Sequence, residues 1–361
     1  MRFNSIPTVV TRTAQRAIAS AAAAITLAAS LAACEKFFEP EADDPTVYTV
    51  DFRYDLNING ADAFATQVNS VALFVVDDNN NIVTLINDAG AHLAQNNYAL
   101  TLDVPAGNYN LIAWCGLDSN QNFALDNHDA PQSIDDLVCR LVAQNNASAT
   151  ELAPLWHGMA RNVTFPAARG HHNVATINLT KNTNKIRVIL QHNSKKTLNP
   201  NDFRFTITDD NGAMNYDNTL LASPLITYSA HTTLTAEVTT PNADAASDAA
   251  DAAASDADIT SVSSLIADID VARLVKGHNP RLTVEMPAEG KTVLSLPVID
   301  LCMLMKTASG STLSEQEFLD RHDAFTMMFF LQDTNTETNG WYVNAGIYVN
   351  EWHVMYQEKN L

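Results

Sequence analysis

The sequence predicts an all-β protein made of two tandem antiparallel β-sandwich domains with a few short helices. Three observations support this fold class. Short runs in which apolar and polar residues alternate recur along the chain, as expected for half-buried strands. Turn-forming Gly, Pro, Asn and Asp residues separate these runs. The series of strands begins again near residue 180, which predicts an N-terminal domain over residues 46–179 and a C-terminal domain over residues 180–361.

The stretch that joins the two predicted domains contains two strand-like runs. In each run, aliphatic side chains share one face: Ala175, Ile177 and Leu179 in the first, and Ile186, Val188 and Leu190 in the second. Residues 180–185 lie between them and include no Gly or Pro, although a tight hairpin usually needs Gly or Asn-Gly. We therefore predict a single extended crossing from one domain to the next.

The N-terminus has the pattern of a processing signal. Residues 1–16 carry three arginines and no acid, and residues 17–33 are apolar and rich in alanine. Residues 31–34, Leu-Ala-Ala-Cys, resemble a bacterial lipobox. This predicts a lipoprotein signal peptide over residues 1–33, cleavage between Ala33 and Cys34, and acylation of the Cys34 thiol. The alternative is an ordinary secretory signal with an incidental cysteine.

Charge limits the partners that the chain can have. It contains 21 Lys+Arg against 41 Asp+Glu, a formal net charge of −20. Such an acidic chain is not expected to bind nucleic acid through phosphate contacts. It would also be repelled by an anionic membrane surface, so attachment requires acyl chains rather than charge. Residues 34–45 are acidic, contain two prolines and have no periodicity, which predicts a tether.

Five strand-like runs and one helix are predicted in the N-terminal domain. The runs lie at residues 47–58, 68–76, 82–86, 98–104 and 109–114. Turn-forming residues lie between several of them, most clearly the Pro-Ala-Gly-Asn sequence that begins at Pro105. Ser133 is a candidate helix N-cap with Asp136 at the third helical position, and apolar residues follow at helical spacing as far as Val142.

A polar segment of this domain approaches the spacing of a calcium-binding loop. Its residues are Asp118, Asn120, Asn122, Asp126 and Asp129. However, Phe123 stands where such a loop needs Gly, and its twelfth position is Asp rather than Glu. A solvated loop is therefore the favoured interpretation, and no metal or other cofactor is predicted.

The chain has four cysteines, and no two of them form a CxxC pair, which argues against a zinc site. Cys115 and Cys139 are a candidate disulfide if the compartment is oxidising, but their spacing does not decide the pairing. Cys302 lies beside Leu301 and Met303, which predicts a buried thiol.

The C-terminal domain repeats the strand pattern. Asp-Asp-Asn-Gly at 209–212 predicts a type I′ hairpin turn, because Asn-Gly accepts positive φ angles. Residues 241–258 are an Ala/Asp-rich, low-complexity insertion without large apolar residues. Ser314 and Glu317 form a capping box that predicts a helix up to His322. The apolar run at 327–331 predicts a buried central strand. Further strands are predicted at 203–207, 282–286, 293–296, 341–343 and 346–355.

The sequence does not suggest an enzyme. Glu317, Asp320, His322 and Asp323 could serve as acid and base groups, but no nucleophile or oxyanion donor accompanies them. The sequence contains no GxSxG, no Gly-rich phosphate loop and no HExxH. We interpret the four residues as a charged helix end.

Several motifs, taken in order, resemble the fimbrial anchor and minor-subunit lipoproteins of the Bacteroidales, the FimB-like family. They cover most of the mature chain: the lipobox and residues 71–77, 105–109, 113–114, 179–188, 209–212, 216–218, 317–321, 329–331 and 347–352. The acidic tether is also similar to export signals of Bacteroidetes surface lipoproteins. The resemblance implies two transthyretin-like sandwiches, and fimbrial subunits as partners that add a β-strand by donor-strand exchange.

The resemblance also suggests a position in the fimbria. Stalk subunits of related type lose their first strand by cleavage after a basic residue, whereas cleavage after Arg53 here would remove the lipid. The expected function is a lipid-anchored outer-membrane subunit that anchors a surface fimbria and helps to initiate or limit its assembly. Two alternatives stay open: a tip or minor adhesive subunit, and a surface glycan-binding lipoprotein that uses Trp114, Trp156, Trp341 or Trp352 as stacking platforms.

Overall fold

The structure, a computed structural model, describes residues 46–127, 131–167, 172–192, 196–241, 259–333, 341–344, 346–349 and 352–355; at 237–241, at 259–262 and from 332 onward it describes the backbone alone. The signal peptide, Cys34, the tether and insertion residues 242–258 lie outside it.

Strands dominate the described residues. In chain order they are β1 (Val47–Arg53), β2 (Ser70–Val76), β3 (Ile82–Ala89), β4 (Ala99–Leu102), β5 (Gly107–Cys115), β6 (Phe123–Leu125), β7 (Cys139–Leu141), β8 (Ala147–Ser148), β9 (Trp156–Phe165), β10 (His172–Lys181), β11 (Thr183–His192), β12 (Arg204–Asp209), β13 (Ala213–Met214), β14 (Ile226–Ser229), β15 (Thr232–Pro241), β16 (Ile259–Ala272), β17 (Arg281–Met286), β18 (Lys291–Pro297), β19 (Ala324–Asp333), β20 (Trp341–Asn344), β21 (Gly346–Val349) and β22 (Trp352–Met355). The described α-helices are α1 (Phe64–Gln67), α2 (Val298–Ala308) and α3 (Glu315–Arg321).

The strands form three large sheets. A seven-stranded sheet has the order β3-β2-β5-β9-β10-β1-β4, and two five-stranded sheets have the orders β15-β16-β11-β19-β20 and β18-β17-β12-β14-β8. The predicted all-β class is therefore confirmed. Most neighbouring strands are antiparallel, as predicted, but β1 with β10, β11 with β19, and β14 with β8 are parallel. These partners are far apart in the chain, so no short hairpin forces them to be antiparallel.

The seven-stranded sheet is covered on both faces. All seven residues of β2 are buried. Val71, Leu73 and Val75 point into a first hydrophobic cluster, which also contains side chains of β1 and β10. Phe74 and Val76 point into a second cluster on the other face. A strand buried on both faces has no polar side, which is why β2 is a continuous apolar run.

The second cluster contains residues from both predicted domains. Phe74 and Trp114 of the seven-stranded sheet lie in the same cluster as Val188, Ile207 and Phe329. Two short strands also cross between the halves, since β7 pairs with β13 and β8 pairs with β14. The boundary between residues 179 and 180 therefore stays a prediction about chain organisation, and the two halves share the second cluster.

The predicted extended crossing between the halves is confirmed. Strand β10 continues to Lys181 and β11 begins at Thr183, so only Asn182 separates them. Each strand belongs to a different sheet, and the chain passes from one sheet to the next without a turn.

The predicted helix after Ser133 is wrong in its extent. The capping box of Ser133 and Asp136 is present, but the helical segment is a single 3₁₀ turn, Ile134–Asp136. Cys139–Leu141 then forms β7 between β6 and β13. Tertiary strand pairing has replaced the helix that the spacing of apolar residues predicted, because β7 gains hydrogen-bonding partners on both edges.

The predicted type I′ hairpin at residues 209–212 is also wrong. Neither Asn211 nor Gly212 has a positive φ angle. Strand β12 pairs with β14 and β17, and β13 pairs with β7. The Asn211 side chain is fully buried; its amide donates to the carbonyls of Ala272 and Arg273, and its oxygen accepts a bond from the Tyr228 hydroxyl. These distant partners stabilise a conformation other than the local turn.

Two predictions for the C-terminal half are confirmed. The Ser314 hydroxyl accepts the Glu317 N–H and caps α3. The apolar run at 327–331 lies in β19, which is between β11 and β20. Cys302 is buried as predicted, but it lies in α2, an eleven-residue helix that the strand pattern did not indicate. None of the described helices has the length and apolar character needed to cross a membrane.

Candidate functional site

The N-terminal strand occupies a slot within the seven-stranded sheet. Strand β1 lies between two neighbours, running parallel to β10 and antiparallel to β4. Its parallel register extends over the whole strand, from Val47 opposite His172 to Arg53 opposite Asn178. Without β1, the facing edges of β10 and β4 would both be unpaired, and unpaired edges are templates for added strands. We call this position the β1 slot.

Side chains on one face hold β1 in its slot. Tyr48, Val50 and Phe52 alternate along the strand and are buried in the first cluster. The Tyr48 hydroxyl donates to the Pro166 carbonyl at 2.9 Å, and the Phe52 ring stacks on Phe64 with centroids 5.6 Å apart. Burial of such side chains contributes about 1.5–3 kcal/mol each. The strand is therefore held by packing as well as by its backbone hydrogen bonds.

Arg53 ends β1 at the surface. Its side chain is 56% exposed, and its Nε atom lies 3.3 Å from a carboxylate oxygen of Asp55. The peptide bond after Arg53 coincides with the end of the strand, so cleavage there would separate all of β1 from the rest of the chain.

Buried asparagines stabilise the junction between β10 and β11, which we call the seam. The Asn182 and Asn218 side chains exchange two hydrogen bonds, at 2.7 and 3.1 Å, and the Asn182 N–H donates to Leu155. The Asn184 amide donates to the His322 carbonyl and its oxygen accepts the Leu274 N–H. Buried polar groups are tolerated when their hydrogen bonds are satisfied. These bonds fix the relative position of the two sheets that the seam connects.

A partly buried ion pair connects α3 to the residue that follows β16. The Arg273 guanidinium donates twice to the Asp320 carboxylate, at 2.9 Å each, and once to the Asn218 carbonyl at 3.0 Å. The Gln316 amide also donates to Asp320. The arrangement is a bidentate, charge-assisted pair, which is the strongest form of this contact.

The other charged residues near α3 also have structural partners. Asp323 pairs with Lys181, and Glu317 pairs with Arg321 one helical turn away. His322 shares a hydrogen bond with the Phe318 carbonyl. Their described contacts are those of a charged helix end, the interpretation that the sequence favoured.

His157 lies in β9, opposite Thr180 of β10. Its Nε2 atom is 2.8 Å from the Tyr216 carbonyl, and its ring meets the edge of Trp114 with centroids 4.6 Å apart. Burial lowers the pKa of this imidazole to about 4, although the hydrogen bond to Tyr216 acts in the opposite direction. The ring is therefore neutral at pH 7, and its Nε2–H donates to the carbonyl.

The structure brings together a cluster of three titratable side chains that spacing in the sequence could not reveal. A carboxylate oxygen of Asp209, one of Asp210 and a ring nitrogen of His278 all lie within 4.8 Å of one another. Burial, together with the neighbouring Asp210 charge, raises the pKa of Asp209 to about 6, although the hydrogen bond from the Asp210 N–H acts in the opposite direction. The hydrogen bond with His278 lowers the pKa of Asp210. The adjacent aspartates were visible in the sequence, but His278 lies 68 residues further along the chain.

The calcium-loop candidates do not present a common set of free oxygens. The Asn120 oxygen accepts the N–H groups of Asn122 and Phe123, and the Asn122 oxygen accepts that of Ala153. The Asp126 carboxylate accepts two contacts from Arg140 at 2.7 and 2.9 Å. The remaining described candidate is Asp118, whereas Asp129 lies outside the described residues. The calcium-loop candidate therefore stays a prediction.

The candidate disulfide is corrected by the structure. Cys115 and Cys139 are free, buried thiols. Cys115 points into the first cluster and Cys139 lies in the second, on the other face of the seven-stranded sheet. Two thiols separated by the sheet cannot meet without backbone movement. Burial raises the pKa of both.

Two of the four tryptophans considered as glycan platforms belong to the core. Trp114 and Trp156 are 0% and 2% exposed. The side chains of Trp341 and Trp352 lie outside the described part of the structure. A different surface feature has polar and apolar walls: a cavity of about 430 Å³ beside β2 and β3, lined in part by Ser70, Phe74, Asn87, Asp88 and Asp118.

Comparisons with solved structures support the fold. One candidate adhesin from Bacteroides thetaiotaomicron is 29% identical, with a TM-score of 0.73 over 87% of this chain and 99% of its own. A candidate polysaccharide-binding protein from the same species is 28% identical, with a TM-score of 0.71 over 88% and 100%. The fimbrial anchor protein Mfa2 from Porphyromonas gingivalis has a TM-score of 0.63 over 87% and 100%, at 14% identity, and this likeness concerns the fold alone.

The family comparison covers most of the chain. No curated protein matches the sequence significantly. The family model described as "Mfa2: Fimbrillin-A associated anchor proteins Mfa1 and Mfa2" matches residues 40–358. This is a family of fimbrial accessory and anchor proteins, in agreement with the resemblance seen in the sequence motifs. The chain therefore belongs to the fimbrillin-A associated anchor protein family.

Proposed function

We propose that this protein is a lipid-anchored fimbrial subunit that attaches a surface fimbria to the outer membrane and helps to initiate or limit its assembly. Family membership supports the fimbrial role. The proposed organisation is a signal peptide at 1–33, a tether at 34–45 that begins with acylated Cys34, and two transthyretin-like domains at 46–179 and 180–361. The acyl chains supply attachment that the acidic chain could not obtain from charge.

The filled β1 slot carries the proposal for an anchor position. A subunit that polymerises by accepting a neighbour's strand needs an open slot. Here the chain's own first strand is paired on both sides and packed into the first cluster. Retention of β1 also keeps the domain connected to Cys34 through the tether. Both features favour a terminal subunit at the membrane over a repeating stalk unit.

Replacement of the lipid-bearing residue tests the anchor role. In the Cys34→Ser variant we expect fimbriae and this subunit to move from the outer-membrane fraction into the medium, because the acyl chains are lost. Fractionation and intact-mass measurement follow both the location and the N-terminus. The Arg53→Gln variant is the control, and it should leave lipidation, location and fimbria number unchanged.

Three results would contradict the anchor role. They are a Cys34→Ser protein that stays in the membrane, a wild-type mature chain that begins after Arg53, and immunogold labelling at the free end of the fimbria. The last result would favour the tip or adhesive subunit.

The β15 edge supports a second element of the proposal, contact with a pilin by strand addition. Strand β15 lies at the end of its sheet and pairs with β16 alone among the described strands. Residues 232–235 are exposed and uncharged. An exposed stretch of edge strand without charge is a template for pairing, and natural proteins protect such stretches with lysine. We assign this edge as the place where a fimbrial subunit adds its strand.

A lysine on the β15 edge should weaken pilin binding. Leu234 is 42% exposed on this edge, and we expect Leu234→Lys to reduce pilin affinity about tenfold, or about 1.4 kcal/mol. The matched control is Leu225→Lys, which replaces a 60% exposed leucine just before β14. Affinity is measured by titration with purified pilin. Equal affinities of the two variants would exclude this edge.

A surface glycan-binding function is the second candidate. It is favoured by the cavity beside β2 and β3, which polar residues such as Asn87 and Asp88 line together with apolar ones. A structure that is 28% identical is described as a candidate polysaccharide-binding protein. The test is a glycan array. If the wild-type chain binds a glycan and the Asp88→Ala variant does not, glycan binding becomes the favoured function.

A further inference from the structure

Three side chains converge where β12 ends. Asp209 is the last residue of β12, Asp210 follows it, and His278 lies in the connection between β16 and β17. One ligand atom from each lies within 4.8 Å of the other two, and Nδ1 of His278 is 2.7 Å from Oδ1 of Asp210. No other group of three His, Cys, Asp or Glu side chains is this close in the described part of the chain.

Asp209 lacks a complete set of partners. The residue is 2% exposed. Its Oδ1 atom accepts the Asp210 N–H at 3.0 Å, but its buried Oδ2 atom has no hydrogen-bond partner among the described groups. A buried carboxylate oxygen without a partner is costly, and such groups in proteins are usually paired or coordinate a metal.

The neighbouring basic side chains contact other groups. Arg273 pairs with Asp320, Lys276 pairs with Glu315, and Arg281 contacts Ser295. Among the described residues, His278 is the one basic side chain within ion-pair distance of either aspartate. Two adjacent carboxylates therefore share a single imidazole, which leaves their negative charge incompletely balanced.

The backbone that carries the aspartates is held in place. The buried Asn211 side chain bonds to the carbonyls of Ala272 and Arg273, and it accepts the Tyr228 hydroxyl at 2.6 Å. These bonds connect the end of β12 to the start of the segment that carries His278. Asp210 and His278 are partly exposed, so their side chains can adjust around an ion. A fixed backbone with adjustable side chains suits metal coordination.

We propose that Asp209, Asp210 and His278 bind a divalent transition-metal cation of the zinc class. Imidazole nitrogen with carboxylate oxygens is a donor set that Zn²⁺ accepts at about 2.0–2.2 Å, and it differs from the all-oxygen sets of Ca²⁺ and Mg²⁺. The two carboxylates balance the charge of the ion. The bound ion cross-links the end of β12 to the β16–β17 connection, and its remaining coordination position is open to water or to a group from a partner.

Metal titration of the full mature chain tests the site. After removal of metal with EDTA, we expect one Zn²⁺ ion to bind per chain and to raise the midpoint temperature of thermal unfolding. We also expect that Co²⁺ can replace Zn²⁺ at the site and that the bound Co²⁺ gives a visible absorption band. His278→Ala and Asp210→Ala change partly exposed side chains, and each should weaken Zn²⁺ binding by at least about tenfold. Asp209→Asn should do the same while keeping the side chain's shape.

The matched control is His92→Ala. His92 forms an exposed pair with Asp88 at 2.8 Å, no third ligand accompanies the pair among the described residues, and it should bind no metal of its own. Its variant should therefore retain wild-type Zn²⁺ affinity. The proposal is overturned if the wild-type chain does not bind Zn²⁺, if the three ligand variants bind it as the wild type does, or if Ca²⁺ or Mg²⁺ binds there as tightly as Zn²⁺.

Discussion

Replacing Arg273 by methionine is expected to lower the free energy of unfolding by about 3–5 kcal/mol, because Asp320 would keep its charge in a partly buried site without its partner. The two side chains are 13% and 9% exposed and form a bidentate pair. The guanidinium also donates to the Asn218 carbonyl at the seam. The loss should therefore loosen both α3 and the seam. Urea unfolding followed by circular dichroism measures the change.

The double variant Arg273→Met, Asp320→Leu should recover most of this loss, since no uncompensated charge is left. The control is Arg204→Met on the surface, where Arg204 pairs with Glu285 and both side chains are more exposed. Exposed pairs contribute about 0–1 kcal/mol. If Arg273→Met were no more harmful than Arg204→Met, the pair would have no special part in stabilising α3 and the seam.

The Trp114→Ala substitution is expected to lower the free energy of unfolding by about 3–5 kcal/mol, because truncation of a buried aromatic residue leaves a cavity. Trp114 is 0% exposed and lies in the second cluster, which joins the two halves. Its indole also packs edge-on against His157. The Trp114→Ala chain should unfold at lower urea concentration, and both halves should lose protection in hydrogen exchange.

This result also bears on the glycan-binding alternative. Any loss of binding in Trp114→Ala should follow the loss of folded protein, since the ring has no exposed face. Leu225→Ala is the control. Because this side chain is exposed, its truncation should change the free energy of unfolding by no more than about 0.5 kcal/mol. Glycan binding that Trp114→Ala abolishes without any change in stability would contradict the core role assigned to this residue.

Local patterns predicted much of the architecture. Alternation located β1, β2, β5 and β12 to within a few residues, because a strand with one buried face needs apolar residues at every second position. The absence of Gly and Pro at 180–185 predicted the extended crossing. Ser314 and Glu317 predicted the start of α3, since capping depends on residues three apart in the chain.

Two of the failures occurred where distant partners competed with local preference. Asn211 and Gly212 are a good turn sequence, but Asn211 instead bonds to backbone that lies about sixty residues further along. The residues after Ser133 have helical spacing, but β7 gains strand partners on both sides. The strand pattern before α2 gave no sign that a helix would follow it.

The sequence by itself determined the all-β class, the membership in a fimbrial family and most strand positions, because these depend on periodicity and on motifs that are contiguous in the chain. Only the tertiary structure decided that β1 pairs parallel to β10, that the two halves share the second cluster, and that Asp209 and Asp210 meet His278. These features depend on which strand lies beside which. Strand pairing is a non-local choice that local periodicity allows but does not specify.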